Sequence, residues 1–293
     1  MTAARNWLSW SHAGRYVFIL PLLVLLGVFF IYPLIGLLGL SFQAPSSDAS
    51  SSWSAASYWK IVSDSYYLAM FGNSLLLAAL TTLGSLIIGY AVAFYLIRTS
   101  GWERTLIAVA CLLPIFVNII VGILGWYILL LPFGVIQQAL AAVGLVDGPI
   151  QWLRSFWALV AILTYEHVPF AVLILASSLQ GVPVDKINAA RILGASVPTI
   201  IWTIMLPLTM PGIVATSILV FSLSISSYLV PILIAGPSTQ VVPLAIFSYS
   251  SELVDWAMAG ALAFILMVIV AVVTYAFIVL TNRLTHRNEW EMV

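Results

Sequence analysis

The sequence predicts an all-α transmembrane protein with six membrane-spanning helices, and three observations lead to this fold class. Hydrophobic residues make up 63% of the 293 residues and charged residues only 7%, whereas about a quarter of an average soluble domain is charged. Six apolar stretches have about the length that crosses a bilayer as a helix, roughly 20 residues. Basic residues are distributed unequally between the segments that join these stretches. Together these observations exclude a soluble enzyme and a disordered chain.

The six apolar stretches are the predicted membrane spans. In chain order they cover approximately residues 16–40, 68–97, 105–131, 156–179, 212–230 and 257–281. Among Asp, Glu, Lys, Arg and His residues, only Glu166 and His167 fall inside them. The first stretch could be the core of a cleaved signal peptide, but it is too long for an ordinary one. We therefore expect it to be a retained span.

The charge distribution predicts that both termini are cytoplasmic. An even number of spans places the two termini on one side of the membrane, and positively charged loops mark the cytoplasm. Only Lys60 and Arg154 fall on the other side. The termini share their side with eight basic residues: Arg5, Arg15, Arg98, Arg104, Lys186, Arg191, Arg283 and Arg287.

The predicted organisation is a single membrane core with short flanking segments. Residues 1–15 form a cytoplasmic tail, 16–40 the first transmembrane helix, and 41–67 an external linker. Residues 68–284 form the core, with five transmembrane helices and a cytoplasmic loop at 181–207. Residues 285–293 form a second cytoplasmic tail.

Catalytic sequence motifs are absent from the chain. It contains no GxxxxGK[ST] phosphate loop, no HExxH and no CxxC, and its three histidines are far apart in sequence. We therefore expect no catalytic residue, no metal site and no cofactor bound by this chain. The formal net charge is zero, which gives no indication of a nucleic-acid partner. A transport role would need a driving force from elsewhere.

The cytoplasmic loop has the pattern of two short helices. Asp185 can cap the start of the first helix after Pro183. Ala189, Ala190 and Leu193 follow at helical spacing and give a small-residue face that another chain can approach closely. Gly194 ends this helix. A second amphipathic piece then runs from Pro198 to Leu206-Pro207.

This loop resembles the EAA loop of ABC importer permeases. The resemblance rests on the order and spacing of Ala189-Ala190, Gly194, Ile204 and Leu206-Pro207. Asn188 stands where the family usually has Glu. Further segments are similar to the spermidine/putrescine-type branch of binding-protein-dependent permeases, namely Asn73-Ser74, Leu113-Pro114, Pro169-Phe170 and the series Phe221, Ser224, Tyr228, Pro231 and Gly236.

The resemblance implies a six-helix type I ABC importer permease fold in a bacterial inner membrane. It implies that the chain pairs with a second permease, usually a non-identical one, and that a binding protein delivers the solute from outside. Two ATPase subunits, which bind ATP and Mg, would dock on the cytoplasmic loops. The docking residues implied here are Asn188, Ala189, Ala190, Gly194, Leu206 and Pro207.

Glu166 and His167 are the candidates for a solute path. Charged groups inside a span are costly, and they usually face the bundle interior or a water-filled cavity. Adjacent residues point in different directions on a helix, so the two need not face the same space. The alternative is an internal hydrogen bond in the bundle. Ser227 and Tyr228 are further candidates, although many polyamine-type members carry an acid where Ser227 stands.

The solute and the transport class remain open at this stage. A polyamine, an opine and an amino-acid derivative are all compatible with the sequence. An ion-coupled secondary transporter would be expected to show more intramembrane ionisable groups and often inverted repeats. A membrane-embedded enzyme would need clustered catalytic groups. An ABC importer subunit therefore explains the sequence best.

Overall fold

The computed structural model describes residues 20–43, 53–145, 152–236 and 239–290, with side chains up to residue 279. The predicted tail 1–15, residues 44–52 of the predicted linker and the loop 146–151 lie outside the described residues. The described chain is helical apart from short connections and one isolated bridge between Gln43 and Trp53.

Thirteen helices follow one another in the described chain. They are α1 (Leu20–Ser41), α2 (Ala56–Ser63), α3 (Ser65–Arg98), α4 (Gly101–Phe116), α5 (Ile119–Leu129), α6 (Val135–Ala142), α7 (Phe156–Gln180), α8 (Val184–Ile192), α9 (Val197–Leu208), α10 (Met210–Ile225), α11 (Leu229–Ile234), α12 (Val242–Ser251) and α13 (Trp256–Trp290). Segments of α1 (Gly27–Ile31) and of α9 (Ile201–Met205) are wound as π-helix.

Helices α3, α7 and α10 form the centre of the molecule and make its largest helix–helix contacts. A Cβ at Gly84 would lie 3.1 Å from Thr164, and one at Gly89 would lie 2.7 Å from the Cβ of Ala171. These two contacts advance in the same direction along both helices, so α3 and α7 are parallel. Glycine at these positions allows the two backbones to approach closely.

Helix α13 packs on the side of α10 that faces away from the centre, and it also contacts the N-terminal helices α1 and α2. It packs against α1, α2, α10 and α12. Gly260 allows α1 to approach, because a Cβ there would lie 3.1 Å from the carbonyl oxygen of Leu37. The hydroxyls of Tyr67 and Tyr249 are 2.7 Å apart and connect α3 to α12. α13 continues to Trp290, into the segment predicted as a cytoplasmic tail.

Four helices of the described chain are long and apolar enough to cross a membrane, and two bent pairs raise the number to six if each pair counts as one span. The unbroken helices are α1, α3, α7 and α13. The pair α4–α5 bends by 104° and the pair α9–α10 by 69°. The stretch 105–131 is therefore not one straight helix as its uniform hydropathy suggests. The stretch 212–230 likewise contains a break, because α10 ends at Ile225.

Candidate functional site

The first short helix of the loop that was predicted to be cytoplasmic is α8. Pro183 occupies its N-cap position and makes no side-chain cap bond. The expected Asp185 cap is wrong, because Asp185 lies inside the first turn. The end of α8 agrees with the sequence. Gly194 has φ +82°, and the Ala195 N–H donates to the carbonyl of Ala190 at 3.0 Å. Glycine adopts this left-handed conformation without steric cost, which sets the chain direction after the helix.

The two faces of α8 have different environments. Ile187 and Ala190 are partly buried and pack on the apolar cluster at the end of the core nearest to this loop. Asn188 and Ala189 are exposed. The predicted docking residues Ala189 and Ala190 therefore lie on different faces, and only Ala189 is open to a partner.

The tip of the loop carries an apolar pair, Ile192 and Leu193, and both side chains are 86% exposed. The sequence prediction included Leu193 only as part of a small-residue face, and it omitted Ile192. The signal available in the sequence was two large apolar residues directly before the glycine that ends a cytoplasmic helix. Large exposed apolar groups on a water-facing loop indicate an interaction surface.

Leu206 and Pro207 lie away from this tip, at the bend between α9 and α10, and both are half-buried. Beside them, the Thr209 hydroxyl donates to the carbonyl of Met205 at 2.8 Å and lies 3.2 Å from the Tyr90 hydroxyl. Met205 is buried in the same apolar cluster that supports α8. Leu206 and Pro207 thus belong to the base that fixes the loop on α3, whereas Ala189, Ile192 and Leu193 form its exposed tip.

A small recess with a mostly apolar lining lies at the bend between α4 and α5, and we call it the elbow recess. Its volume is about 30 Å³, and its lining includes Pro114, Asn118, Trp126, Tyr165 and Glu166. The Asn118 side chain accepts a hydrogen bond from the Ile120 N–H at 3.0 Å and so caps α5. Trp126 and Tyr165 meet edge to face with ring centroids 5.3 Å apart. Glu166 is half-buried and lines the recess together with these two aromatic residues.

His167 does not line the recess, because it lies about 100° around α7 from Glu166. It is buried, and its Nδ1 donates to the carbonyl of Leu163 at 2.6 Å. A carbonyl oxygen only accepts, so the proton of a neutral ring is on Nδ1. The structure therefore separates the two ionisable residues: Glu166 faces the recess, while His167 faces the core between the central helices.

Ser227 and Tyr228 occupy the break between α10 and α11, and neither lines the elbow recess. The Tyr228 ring stacks on Phe247, with centroids 5.6 Å apart. The next helix, α11, packs against α5 and α7. Ser227 and Tyr228 therefore directly precede a helix that packs against two of the helices lining the recess. Asn118 and Trp126 do line the recess, and the sequence prediction had not included them.

Comparison with known proteins adds independent information. Residues 85–287 match the family described as the binding-protein-dependent transport system inner membrane component. The spermidine/putrescine transport system permease protein PotB of Escherichia coli (strain K12) is 28% identical over 214 residues, which cover 73% of this chain and 78% of PotB. The permease protein PotC of the same transport system and organism is 37% identical over 126 residues, or 42% of this chain and 46% of PotC.

A solved structure has the same fold. It is the crystal structure of a bacterial ABC transporter involved in the import of the acidic polysaccharide alginate. One of its chains superposes with a TM-score of 0.78 at 18% identity, covering 92% of this chain and 96% of that chain. The six-helix importer permease fold expected from the sequence is thereby supported by sequence and by structure.

Proposed function

This chain belongs to the family of inner-membrane components of binding-protein-dependent transport systems, and from that premise we propose how it works. It is a multi-pass inner-membrane permease of the ABC importer type. In our proposal it accepts a small organic solute from an external binding protein and passes it to the cytoplasm. It does so beside a second, non-identical permease, as PotB and PotC are two permeases of one transport system.

The loop tip at Ala189, Ile192 and Leu193 is the proposed docking point for an ATPase subunit. Two large apolar side chains, each 86% exposed, stand beside the small Ala189. A partner with a matching apolar groove would bury them, and burial of a large apolar side chain contributes roughly 1.5–3 kcal/mol. Two ATPase subunits would bind ATP and Mg, one on this chain and one on the second permease. In this arrangement the loop and both termini are cytoplasmic.

The docking proposal is tested by Leu193→Glu. We expect ATPase binding to weaken about tenfold or more, because a tenfold change corresponds to about 1.4 kcal/mol and a buried apolar contact exceeds that value. ATP turnover stimulated by the loaded binding protein and solute uptake should fall together. Trp102→Glu is the matched control, since Trp102 is 73% exposed and lies in the first turn of α4, outside the loop. Unchanged ATPase association in Leu193→Glu would contradict the assignment.

The elbow recess is the proposed contact point for the solute, and its chemistry favours a cationic amine. Glu166 supplies a carboxyl group, and Trp126 and Tyr165 supply aromatic faces. A cation gains from both, through charge pairing and through cation–π attraction. No Lys or Arg lines the recess within the described residues. Of the solutes left open by the sequence, a polyamine or another amine-bearing solute therefore fits best.

The carboxyl of Glu166 carries this proposal, and Glu166→Gln tests it. Gln keeps the size and hydrogen bonding of the side chain but removes the charge. We expect uptake of a polyamine per assembled complex to fall at least about tenfold, or about 1.4 kcal/mol, with little change in melting temperature. His167→Asn should lower the melting temperature and leave uptake per assembled complex nearly unchanged, because His167 is buried in the core. Normal uptake in Glu166→Gln would remove the recess from the solute path.

Uptake without any ATPase subunit would instead support ion-coupled transport.

A further inference from the structure

The three central helices share a layer of buried polar side chains. On α3 the buried residues change from Leu77 and Ala78 to the hydroxyl-bearing Thr81, Thr82 and Ser85. On α7 the buried His167 follows the buried Thr164, and on α10 the buried Ser224 lies between the buried Phe221 and Ile225. Apolar clusters of the core lie on both sides of this layer along the helices.

The contacts between α3 and α7 place Ser85 and His167 at similar depth. Gly84 meets Thr164, and Gly89 meets Ala171 and Leu175. Ser85 and His167 lie between these two contacts on their respective helices. Thr81 is one turn before Ser85 on the same buried face of α3.

Helix α10 brings Ser224 to the same depth from the opposite direction. Gly212 contacts Ser178, which fixes the register of α10 against α7. His167 precedes Ser178 by 11 residues, and Ser224 follows Gly212 by 12 residues. At a rise of 1.5 Å per residue these steps correspond to about 16.5 Å and about 18 Å. Since α10 runs antiparallel to α7, the two residues lie within about 2 Å in depth.

Three hydroxyls of this layer have no hydrogen-bond partner within the described part of the chain, although all three are buried. They are Thr81 Oγ1, Ser85 Oγ and Ser224 Oγ. Nearby hydroxyls in the same helices behave differently. Thr82 donates to the carbonyl of Ala78 at 2.7 Å, and Ser217 donates to that of Ile213 at 2.8 Å. A carbonyl of the same helix is the usual partner of a buried Ser or Thr, and these three hydroxyls do not use it.

We propose that Thr81, Ser85, His167 and Ser224 bind internal water in the middle of the three-helix core. A hydroxyl both donates and accepts, and Nε2 of His167 is an acceptor because Nδ1 carries the proton. Water both donates and accepts, so it can satisfy hydroxyls and a ring nitrogen alike, and buried water typically makes about three such bonds. The four groups include no carboxylate, which favours water over a hard metal cation.

This water site goes beyond the proposed transport function, and it gives the core a specific mechanical property. The layer lies on the three helices that also carry the loop-supporting cluster, and one of them, α7, lines the elbow recess as well. Hydrogen bonds to water exchange partners at low cost when one helix shifts, whereas interdigitated apolar side chains must separate. The hydrated layer is thus the place where α10 can move relative to α3 and α7.

The sign of a stability change tests the proposal. Thr81→Val keeps the shape of the side chain and removes its hydroxyl. If the hydroxyl binds water, we expect the melting temperature of the full chain in lipid nanodiscs to fall by about 2–4 °C, because water loses a partner. If the layer is dry, the same change removes an unpaired buried polar group and the melting temperature rises or stays constant. That outcome would overturn the proposal. Thr82→Val is the matched control, since Thr82 bonds to its own helix.

Radiolytic labelling provides a second measurement that does not depend on stability. X-ray pulses generate hydroxyl radicals from bound water, so side chains beside internal water become oxidised even when they are buried. We expect His167 to incorporate ¹⁸O from labelled water more strongly than Leu159, which is fully buried in the same helix. The combined variant Thr81→Val, Ser85→Ala and Ser224→Ala should lose this labelling. Equal labelling of His167 and Leu159 in the unmodified protein would overturn the proposal.

Discussion

Helix α7 and the pair α4–α5 have similar lengths and each contains one proline, yet their shapes differ. α7 continues from Phe156 to Gln180 with Pro169 inside it. α4 contains Pro114, and the chain turns by 104° after Phe116. Twelve residues of α7 are buried, whereas α4 has none and α5 has only Ile123. The difference shows that the surrounding packing, more than the proline, decides whether an apolar segment remains one helix.

The position of the bend supports this explanation. A proline removes a hydrogen bond to the residue four positions before it, but the break lies at Val117 and Asn118, after Pro114. Val117 has extended geometry, with ψ 135°, and the Asn118 side chain caps the next helix. A capped helix start in an unpacked segment therefore explains the elbow, and the same start places Asn118 beside Glu166.

The largest expected effect follows from replacing Gly89, the α3 residue that contacts α7, and the smaller one from replacing Gly125 in α5. Gly89→Leu forces a side chain into Ala171 of α7, because the space for a Cβ is only 2.7 Å. We expect a loss of roughly 1–3 kcal/mol or more in the free energy of unfolding, as for overpacked cores. Gly125→Leu in α5 has nothing within 4 Å of the new Cβ, so it should change stability by no more than about 0.5 kcal/mol. Thermal unfolding in nanodiscs measures both.

The comparison would fail if these two variants were equally stable. It would then follow that α7 can move away from α3 without cost, and packing could not be the reason for its continuity. A Gly89→Ala variant, which adds one carbon, separates a graded clash from complete misfolding.

The next effect concerns the two helix caps. Asn118→Ala and Ser155→Ala each remove a side chain that accepts an N–H at the start of a helix, α5 and α7 respectively. Each loss typically costs about 1 kcal/mol. We expect a larger fall in uptake per complex for Asn118→Ala, because α5 has little packing to hold the recess in shape. Uptake in Ser155→Ala should remain near normal. A larger loss of uptake in Ser155→Ala would show that the elbow does not depend on its cap.

The smallest effect is expected for Pro114→Ala. Because the bend is attributed to Asn118 and to absent packing, restoring one backbone N–H in α4 should leave the elbow in place. Uptake should stay within about twofold, which corresponds to roughly 0.5 kcal/mol on the free-energy scale. Distances between spin labels placed at Trp102 and Ile128 would report the bend directly. An increase of these distances toward those of a straight helix would assign the elbow to the proline instead.

The sequence predicted the parts of the fold that depend on local pattern. Apolar runs located the long helices, and Gly194 predicted the end of α8 because a left-handed residue is needed there. The elbow was not predicted, since residues on both sides of it are equally apolar. Asn118, a good cap inside an apolar run, was the available signal.

Site residues were predicted where their chemistry alone was unusual. Glu166 is an ionisable residue in a span, so it could be named as a candidate without knowledge of its neighbours. Asn118 and Trp126 could not be identified from the sequence, because they reach Glu166 only through the bend that places α5 beside α7. The inward orientation of Ala190 likewise depends on the tertiary contact between α8 and the core, which no helical spacing specifies.

The π-helical turn at Ile201–Met205 has a consequence for grafting between permeases. One residue more or less in a helix rotates everything beyond it by about 100°. A chimera that receives this loop from a relative, but restores an ordinary α-helical turn at this point, would aim Ile192 and Leu193 away from the proposed ATPase contact by that angle. The unit to transfer between permeases is therefore the whole segment from Val184 to Leu208. Fusion points placed inside the π-helical turn should produce a folded transporter in which, on the docking proposal, ATP hydrolysis is not coupled to uptake.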